Sequence, residues 1–227
     1  MGYDVTFHPF SRAEFDFYVR RVVEDPTNYL QQIAHLHDSQ EEHDFLDSGI
    51  YAHTAASVEK LRVGTQDFEK GIGFSAAAVF GYLHPYWYSR GGMLSRLDIS
   101  PFDNYRGDIS DLVTGPSKWV FDKAYGVIME NYSSGVYVPY EKIGHLKNLL
   151  QDPANETLVN EVIGDSNLPS LLHCLDYCLK HQLDLLEATD LYVPMSGSCS
   201  SLPANFRASY MKNIDNHVNS GRSKPIS

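Results

Sequence analysis

Hydrophobic and polar positions recur with two periods along this chain, and the changes of period predict its elements. "YDVTFHPF" is rich in β-formers and closes at Pro9, which predicts a strand over Tyr3–His8. Ser11 and Glu14 follow at capping-box spacing and predict a helix to about Val23. Asp25-Pro26 restarts a helix on which Tyr29, Leu30, Ile33 and Leu36 keep helical spacing. Ser39 and Glu42 form a second capping-box pair, opening a helix that breaks near Ser48-Gly49 and resumes to about Val63. "GFSAAAVFGYL", Gly73 to Leu83, reads as a small-residue helix packed inside. "HPYWYSRGG" reads as a loop, and Ser89–Gly115 as Gly- and Asp-rich chain with one short strand near Leu97–Ser100.

Helical spacing returns in "WVFDKAYGVIMENY". Val136–Val138 then makes a short strand, which Pro139 ends because it has no N–H to give to a ladder. "YEKIGHLKNLL" places Ile143, Leu146, Leu149 and Leu150 on one helix face, and Asp152-Pro153 starts another helix that stops at Gly164. The broadest apolar stripe runs through Leu168, Leu171, Leu172, Leu175, Leu179 and Leu183 and predicts a helix over "SNLPSLLHCLDYCLKHQLDLLEA". "TDLYVP" reads as a last short strand, and Pro203 to about Asn216 as a final helix. Tyr-Val-Pro occurs at Tyr137–Pro139 and again at Tyr192–Pro194, read as two strands of one small sheet rather than as a repeat. The expected fold is helix-rich α/β: one small β-sheet of three or more strands packed with surrounding helices. A single globular domain is expected over residues 1–218, with a mobile tail over 219–227.

Charge adds the main functional clue. The 227 residues carry a net charge of −11, and the excess sits in two segments. Asp38–Asp47 holds five acids and no Lys or Arg; Asp152–Asp190 holds eight acids and one base, Lys180. Direct nucleic-acid binding needs clustered Lys and Arg, so it is not expected. A basic protein partner fits the pattern, and plain solubility accounts for it equally well. The chain shows no secretory pattern at its start, no stretch of 18 apolar residues and three cysteines, Cys174, Cys178 and Cys199. A reducing cytoplasm is the expected compartment, with no membrane partner.

Candidate chemistry is sparse. Cys174, Cys178 and His181 share one helix face, but zinc needs three or four ligands in tetrahedral array and no second Cys pair exists. Two buried thiols beside a leucine stripe are the simpler reading. His35, His37 and His43 lie among Asp38, Glu41, Glu42 and Asp44, a mixture that can bind metal or move protons, yet His-x-His is not the i, i+4 pair of a zincin. "GFSAA" around Ser75 lacks the second glycine of a nucleophile elbow, and "GIG" at Gly71–Gly73 lacks the third glycine of a dinucleotide loop. No cofactor is expected. Tyr86, Trp87, Tyr88 and Arg90 are residue types common at binding hot spots, and aromatics also anchor loops to cores.

"GVYVPYEKIGHLKNLL" and "LLHCLDYCLKHQLDLLEATDLYVP", within Gly135–Pro194, resemble segments of cytoplasmic immunity proteins encoded beside polymorphic or type VI secretion toxins of Gram-negative bacteria. The resemblance implies a non-enzymatic role, binding a cognate effector toxin and blocking its active site or assembly. It transfers no individual residue. The expected partner is a basic toxin, a nuclease being the natural case because its substrate groove must be cationic. The candidate contacts are Asp38, Glu41, Glu42, Asp44, Asp47, Tyr86, Trp87, Tyr88, Glu187 and Asp190. Two alternatives stay open: a metal-assisted hydrolase built on His35, His37 and His43, and a dimeric interaction protein with the aromatic loop in its interface.

Overall fold

The computed structural model describes residues 4–21, 73, 76–77, 79–81, 83–115 and 133–189. The expected helices over Asp25–Leu36, Ser39–Val63 and Pro203–Asn216, the helical run "WVFDKAYGVIMENY" and the tail 219–227 lie outside the described residues.

The α/β expectation holds. Four antiparallel strands form one sheet in the order β2-β1-β4-β3. They are β1 (Asp4–Phe10), β2 (Trp87–Arg90), β3 (Ser134–Val138) and β4 (Asp184–Thr189). Helix α1 (Arg12–Phe15) follows β1 directly and widens into a π turn over Asp16–Arg20. Its capping box is fully made: the Glu14 N–H donates to Ser11 Oγ at 3.2 Å, and the Ser11 N–H donates to the Glu14 carboxylate at 2.6 Å. Between β3 and β4 lie α2 (Tyr140–Gln151), α3 (Glu156–Val162) and α4 (Leu168–His181).

Facing residues of an antiparallel ladder share a side, so the register sorts the strands into two faces. Val5 faces Ser89 and Thr189; Phe7 faces Trp87 and Glu187; Pro9 faces Leu185, which also faces Val138. This face packs on Ile143, Leu146 and Leu150 of α2, Val159 of α3 and Leu171, Cys174, Leu175 and Cys178 of α4. Met93, Leu94, Leu97, Phe102 and Tyr105 complete the same core. The opposite face carries Thr6, His8 and Phe10 of β1, Tyr137 of β3, and Asp184, Leu186 and Ala188 of β4. It is covered by α1 and by the 73–83 segment, whose described residues are helical and buried as the small-residue pattern predicts. Phe10 stacks on Phe80 at 4.3 Å between centroids and packs on Phe15 and Tyr137.

Both faces being covered explains why β4 is buried at all six positions. It also explains the largest departure from the expected elements. The leucine stripe predicts a helix through Ala188, but α4 stops at His181, where Gln182 turns left-handed (φ 57°, ψ 48°). Leu183 prolongs the helical spacing, yet the run behind it is a strand buried on both sides, which shows no period at all. Asp190–Pro194, the bulk of the expected last strand, is outside the described residues.

Two further expectations are corrected. "HPYWYSRGG" is not a loop throughout: Trp87–Arg90 is an edge strand with Trp87 and Ser89 inward, ended by Gly91 at φ +80°. Leu97–Ser100 is not a strand. The region instead makes short 3-10 turns at Leu94–Arg96, Phe102–Asn104 and Ile109–Leu112, pinned by buried Leu97, Phe102, Tyr105, Ile109 and Val113. The strand begins at Asp4 and runs past Pro9 to Phe10. Proline is tolerated there because β2 pairs only with Asp4–Phe7, leaving that side of Pro9 beyond its ladder.

Candidate functional site

The second acidic segment of the sequence divides in the structure. Asp152, Glu156, Glu161, Asp165 and Asp176 are exposed, whereas Asp184 and Glu187 are buried on β4. Asp152–Asp165 therefore forms an outward run of four acids with no Lys or Arg between them. None of the four makes an ion pair among the described residues, while Asp176 is held by Lys147.

This run sits on a well-anchored support. Asp152 caps the turn Pro153–Asn155 by accepting from the Ala154 N–H at 2.9 Å, and the Asn155 amide donates to Leu149 O at 3.0 Å. Val159 and Ile163 bury the inner side of the helix. Gly164, at φ +83°, ends it. Asn167 then donates to Ile163 O at 2.8 Å and grips β2 with both ends of its amide, accepting from the Arg90 N–H at 3.2 Å and donating to Arg90 O at 3.1 Å. With Ser170 donating to Tyr88 O at 3.3 Å, the outer edge of β2 is closed.

Asp184 anchors the entry of α2. Its carboxylate accepts from Arg12 Nε at 3.1 Å, from the Tyr137 hydroxyl at 2.8 Å and from the Tyr140 N–H at 2.7 Å. Pro139 has no side chain with which to cap α2, so Asp184 supplies the acceptor from another strand, at the end of the helix that favours negative charge. Arg12 reaches on to the exposed Glu141 at 2.6 Å. Its bond to Asp184 raises the Arg12 pKa above its ordinary value, and burial followed by the Asp184 charge raises that of Tyr137. Next to this network, His84 Nε2 lies 2.9 Å from the Glu14 carboxylate. Burial works to raise the Glu14 carboxyl, but His84 and Ser11 outweigh it and hold it below its ordinary value.

Glu187 and His8 are buried groups that have no oppositely charged partner in direct contact among the described residues. Glu187 lies on the apolar face, wholly buried, and its carboxylate accepts from the Ser95 N–H at 3.1 Å and the Val136 N–H at 3.2 Å. Burial pushes its pKa up to about 7, with main-chain and hydroxyl hydrogen bonds from Val136, Ser95 and Leu94 pulling the other way. The Val136 donor is available because β3 bulges: Ser134 faces Ala188 and Tyr137 faces Leu186, so three steps on β3 match two on β4. His8 lies on the other face, also wholly buried. Its Nε2 is 2.8 Å from Thr6 Oγ1, its ring stacks on Tyr86, and its Nδ1 finds no hydrogen-bond partner among the described residues. Burial pushes its pKa down to about 3, so it is neutral in the fold.

The sequence-derived contacts fall into three groups. Asp38, Glu41, Glu42, Asp44, Asp47 and Asp190 lie outside the described residues, as do His35, His37, His43 and Cys199. Glu187 and Trp87 are inside: Trp87 packs edge-on against His173 and tilted against Tyr177 of α4, so neither residue presents a surface to a partner. That corrects the reading of both as contact residues. Tyr86 and Tyr88 are half-buried, Tyr86 on His8 and Tyr88 with its hydroxyl donating to Asp4. Cys174 and Cys178 are buried core thiols, while His181 lies outside against the Tyr177 ring. Arg12, Asp184, Glu14, His84 and His8 were missed by sequence reasoning. The capping box was the one available signal, since it places Glu14 and the neighbouring Arg12 at the end of β1.

No known protein family, curated protein or solved structure matches this chain. Among the described residues, no helix is long and apolar enough to cross a membrane.

Proposed function

We propose that the protein is a cytoplasmic immunity protein, which binds a cognate antibacterial effector toxin and neutralises it by covering its active or substrate-binding surface. It acts by association rather than by chemistry. The observation that carries this reading is the outward acidic run Asp152, Glu156, Glu161 and Asp165, displayed on an anchored helix and without an ion pair among the described residues. A surface of this kind attracts a cationic groove, speeds encounter and fixes register, while like-charged partners are rejected. The favoured target is a nuclease, whose groove must be basic to hold phosphates. The acidic segment Asp38–Asp47 and Asp190 remain candidate contacts on sequence grounds, with Tyr86 and Tyr88 as aromatic neighbours of the sheet edge.

The test is co-expression with the product of the adjacent gene, followed by titration of the two purified proteins. The neighbour is expected to be toxic alone and harmless with this protein present. Reversing all four charges (Asp152→Lys, Glu156→Lys, Glu161→Lys and Asp165→Lys) is expected to weaken binding by about tenfold or more, mainly through the association rate at low salt. A neighbour that is harmless alone, or that stays toxic beside this protein, overturns the reading.

A further inference from the structure

Among the described residues, Glu187 is the one carboxyl on its face of the sheet, and it is placed where three separate segments meet. It stands on β4, next to the central position of the sheet. One of its donors is the Val136 N–H of the β3 bulge, and the other is the Ser95 N–H of the 3-10 turn Leu94–Arg96. That turn is the anchor of a long connection. The Tyr105 hydroxyl donates to Leu94 O, and Arg106 Nη2 donates to Ser95 O at 2.8 Å. One residue on, the Gly107 N–H donates to Tyr137 O at 2.9 Å, with no room for a side chain between Gly107 and Pro139. Lys142 of α2 closes the ring by donating to Arg106 O. The connection is thus held by β3 and Lys142 near Arg106–Gly107, by the buried Met93, Leu94 and Leu97 at its start, and there by the Glu187 carboxyl as its polar tie to the sheet.

We propose that Glu187 is a proton-operated clamp, which in its neutral form locks the 93–97 turn and the β3 bulge onto the sheet and on ionising loosens both. The groups that face it decide the sign. Phe7 lies directly opposite on β1, and Leu185 and Thr189 flank it on its own strand. α2 and α3 contribute only apolar residues to this core, and α4 adds the thiols of Cys174 and Cys178. From the connection come the Ser95 and Tyr105 hydroxyls and the Arg106 guanidinium. Arg106 is turned to Ser95 O and to Asp98 at 3.4 Å. Burial raises the Tyr105 hydroxyl above its ordinary value, so it is neutral too. A neutral carboxyl suits this setting. Full burial on an apolar face outweighs the donors that favour the anion. The anion makes the same N–H bonds more strongly but is denied its hydration, and recovering water requires the turn to lift.

The carboxyl is raised to about 7 when the turn is down and returns to the ordinary range near 4.5 when water reaches it. Opening therefore becomes easier as pH rises between those values and levels off above them. Amide hydrogen exchange on the full-length protein reads this directly. After correction for intrinsic rates, protection of the Ser95 and Val136 amides is expected to fall by about tenfold per pH unit between pH 5 and 7. Protection of Leu186, on the β1–β4 ladder, is expected to stay level. The Glu187→Gln variant keeps an acceptor and is expected to abolish the dependence. Should that variant fail to fold, the wild-type carboxyl can be followed by its own carbon shift. A midpoint near 7 moving together with the Ser95 and Val136 amide signals supports the clamp. A midpoint below 5, or amide protection independent of pH, overturns it. The clamp is a property of the fold and stands whether or not the protein neutralises a toxin.

Discussion

The two faces of the sheet solve the same problem in opposite ways. Both are buried and both hold ionisable groups on β4 or its neighbour β1. On the face toward α1, charge is met by charge: Asp184 has Arg12, two further donors and a helix N-terminus, and Glu14 has His84. The price is paid only by His8, which is kept neutral. On the face toward α2–α4, Glu187 has hydrogen-bond donors but no contacting cation among the described residues, and the carboxyl answers by holding its proton to higher pH. The difference teaches that a buried acid can be read as structural support or as a titrating element only from its partners.

The comparison breaks most visibly at Asp184. Asp184→Ala leaves the Tyr137 hydroxyl and the Tyr140 N–H without their acceptor and Arg12 with Glu141 alone, and is expected to cost about 3 kcal/mol in denaturant unfolding. A loss under about 1 kcal/mol would mean the network holds nothing. Asp184→Asn keeps an acceptor and should lose less.

Next in size is the pH profile. The sign differs for the two neutral groups. The unfolded chain protonates His8 near 6.5 and the fold does so only near 3, so His8 costs stability as pH falls through that range. Glu187 costs stability as pH rises from about 4.5 to about 7. Between pH 4.5 and 6.5 the two trends oppose and the contribution of the pair is flat. Each is expected to emerge when the other is removed, at roughly 1.4 kcal/mol per pH unit. Glu187→Gln is expected to make stability rise with pH there, and His8→Gln to make it fall. Melting curves of the three proteins across that window check it; parallel curves would remove the distinction between the faces.

Smaller again is Asn167→Ala, which unpairs the outer N–H and C=O of Arg90 on β2 and is expected to cost roughly 1–2 kcal/mol, with a greater tendency to self-associate through the opened edge. The four-fold charge reversal of the acidic run is expected to change stability least, by about 1 kcal/mol, most of it from the lost Asp152 cap, because its members are exposed and make no ion pair among the described residues. Its effect belongs to association.

Much of the local structure was legible. Ser11 and Glu14 announced α1, Pro139 announced the junction of β3 with α2, and Asp152-Pro153 and Gly164 bounded the α3 region. Each is a local signal, carried by caps, a missing N–H or a positive φ. The β4 strand was not legible. Leu183, Leu185, Leu186 and Ala188 extend a helical stripe in composition, and nothing local says that the chain turns at Gln182. Misplacing that strand put Glu187 on the surface and left Asp184 without a role. Trp87 failed for a related reason: a Tyr-Trp-Tyr run beside Gly and Pro looks like a loop until a neighbouring strand pairs with it.

By itself the sequence determined where α1, α2 and the α3 region start, and that the chain carries a strong acidic excess, because caps, a missing N–H and charge act over a few residues. Only the tertiary structure decided which acids face water. Asp184 and Glu187 are three residues apart on one strand and so lie on opposite faces, and their company is brought from Arg12, Tyr137, Tyr140, Ser95 and Val136. Desolvation and pairing depend on those distant neighbours, and the order of strands that assembles them is written in no single stretch of the chain.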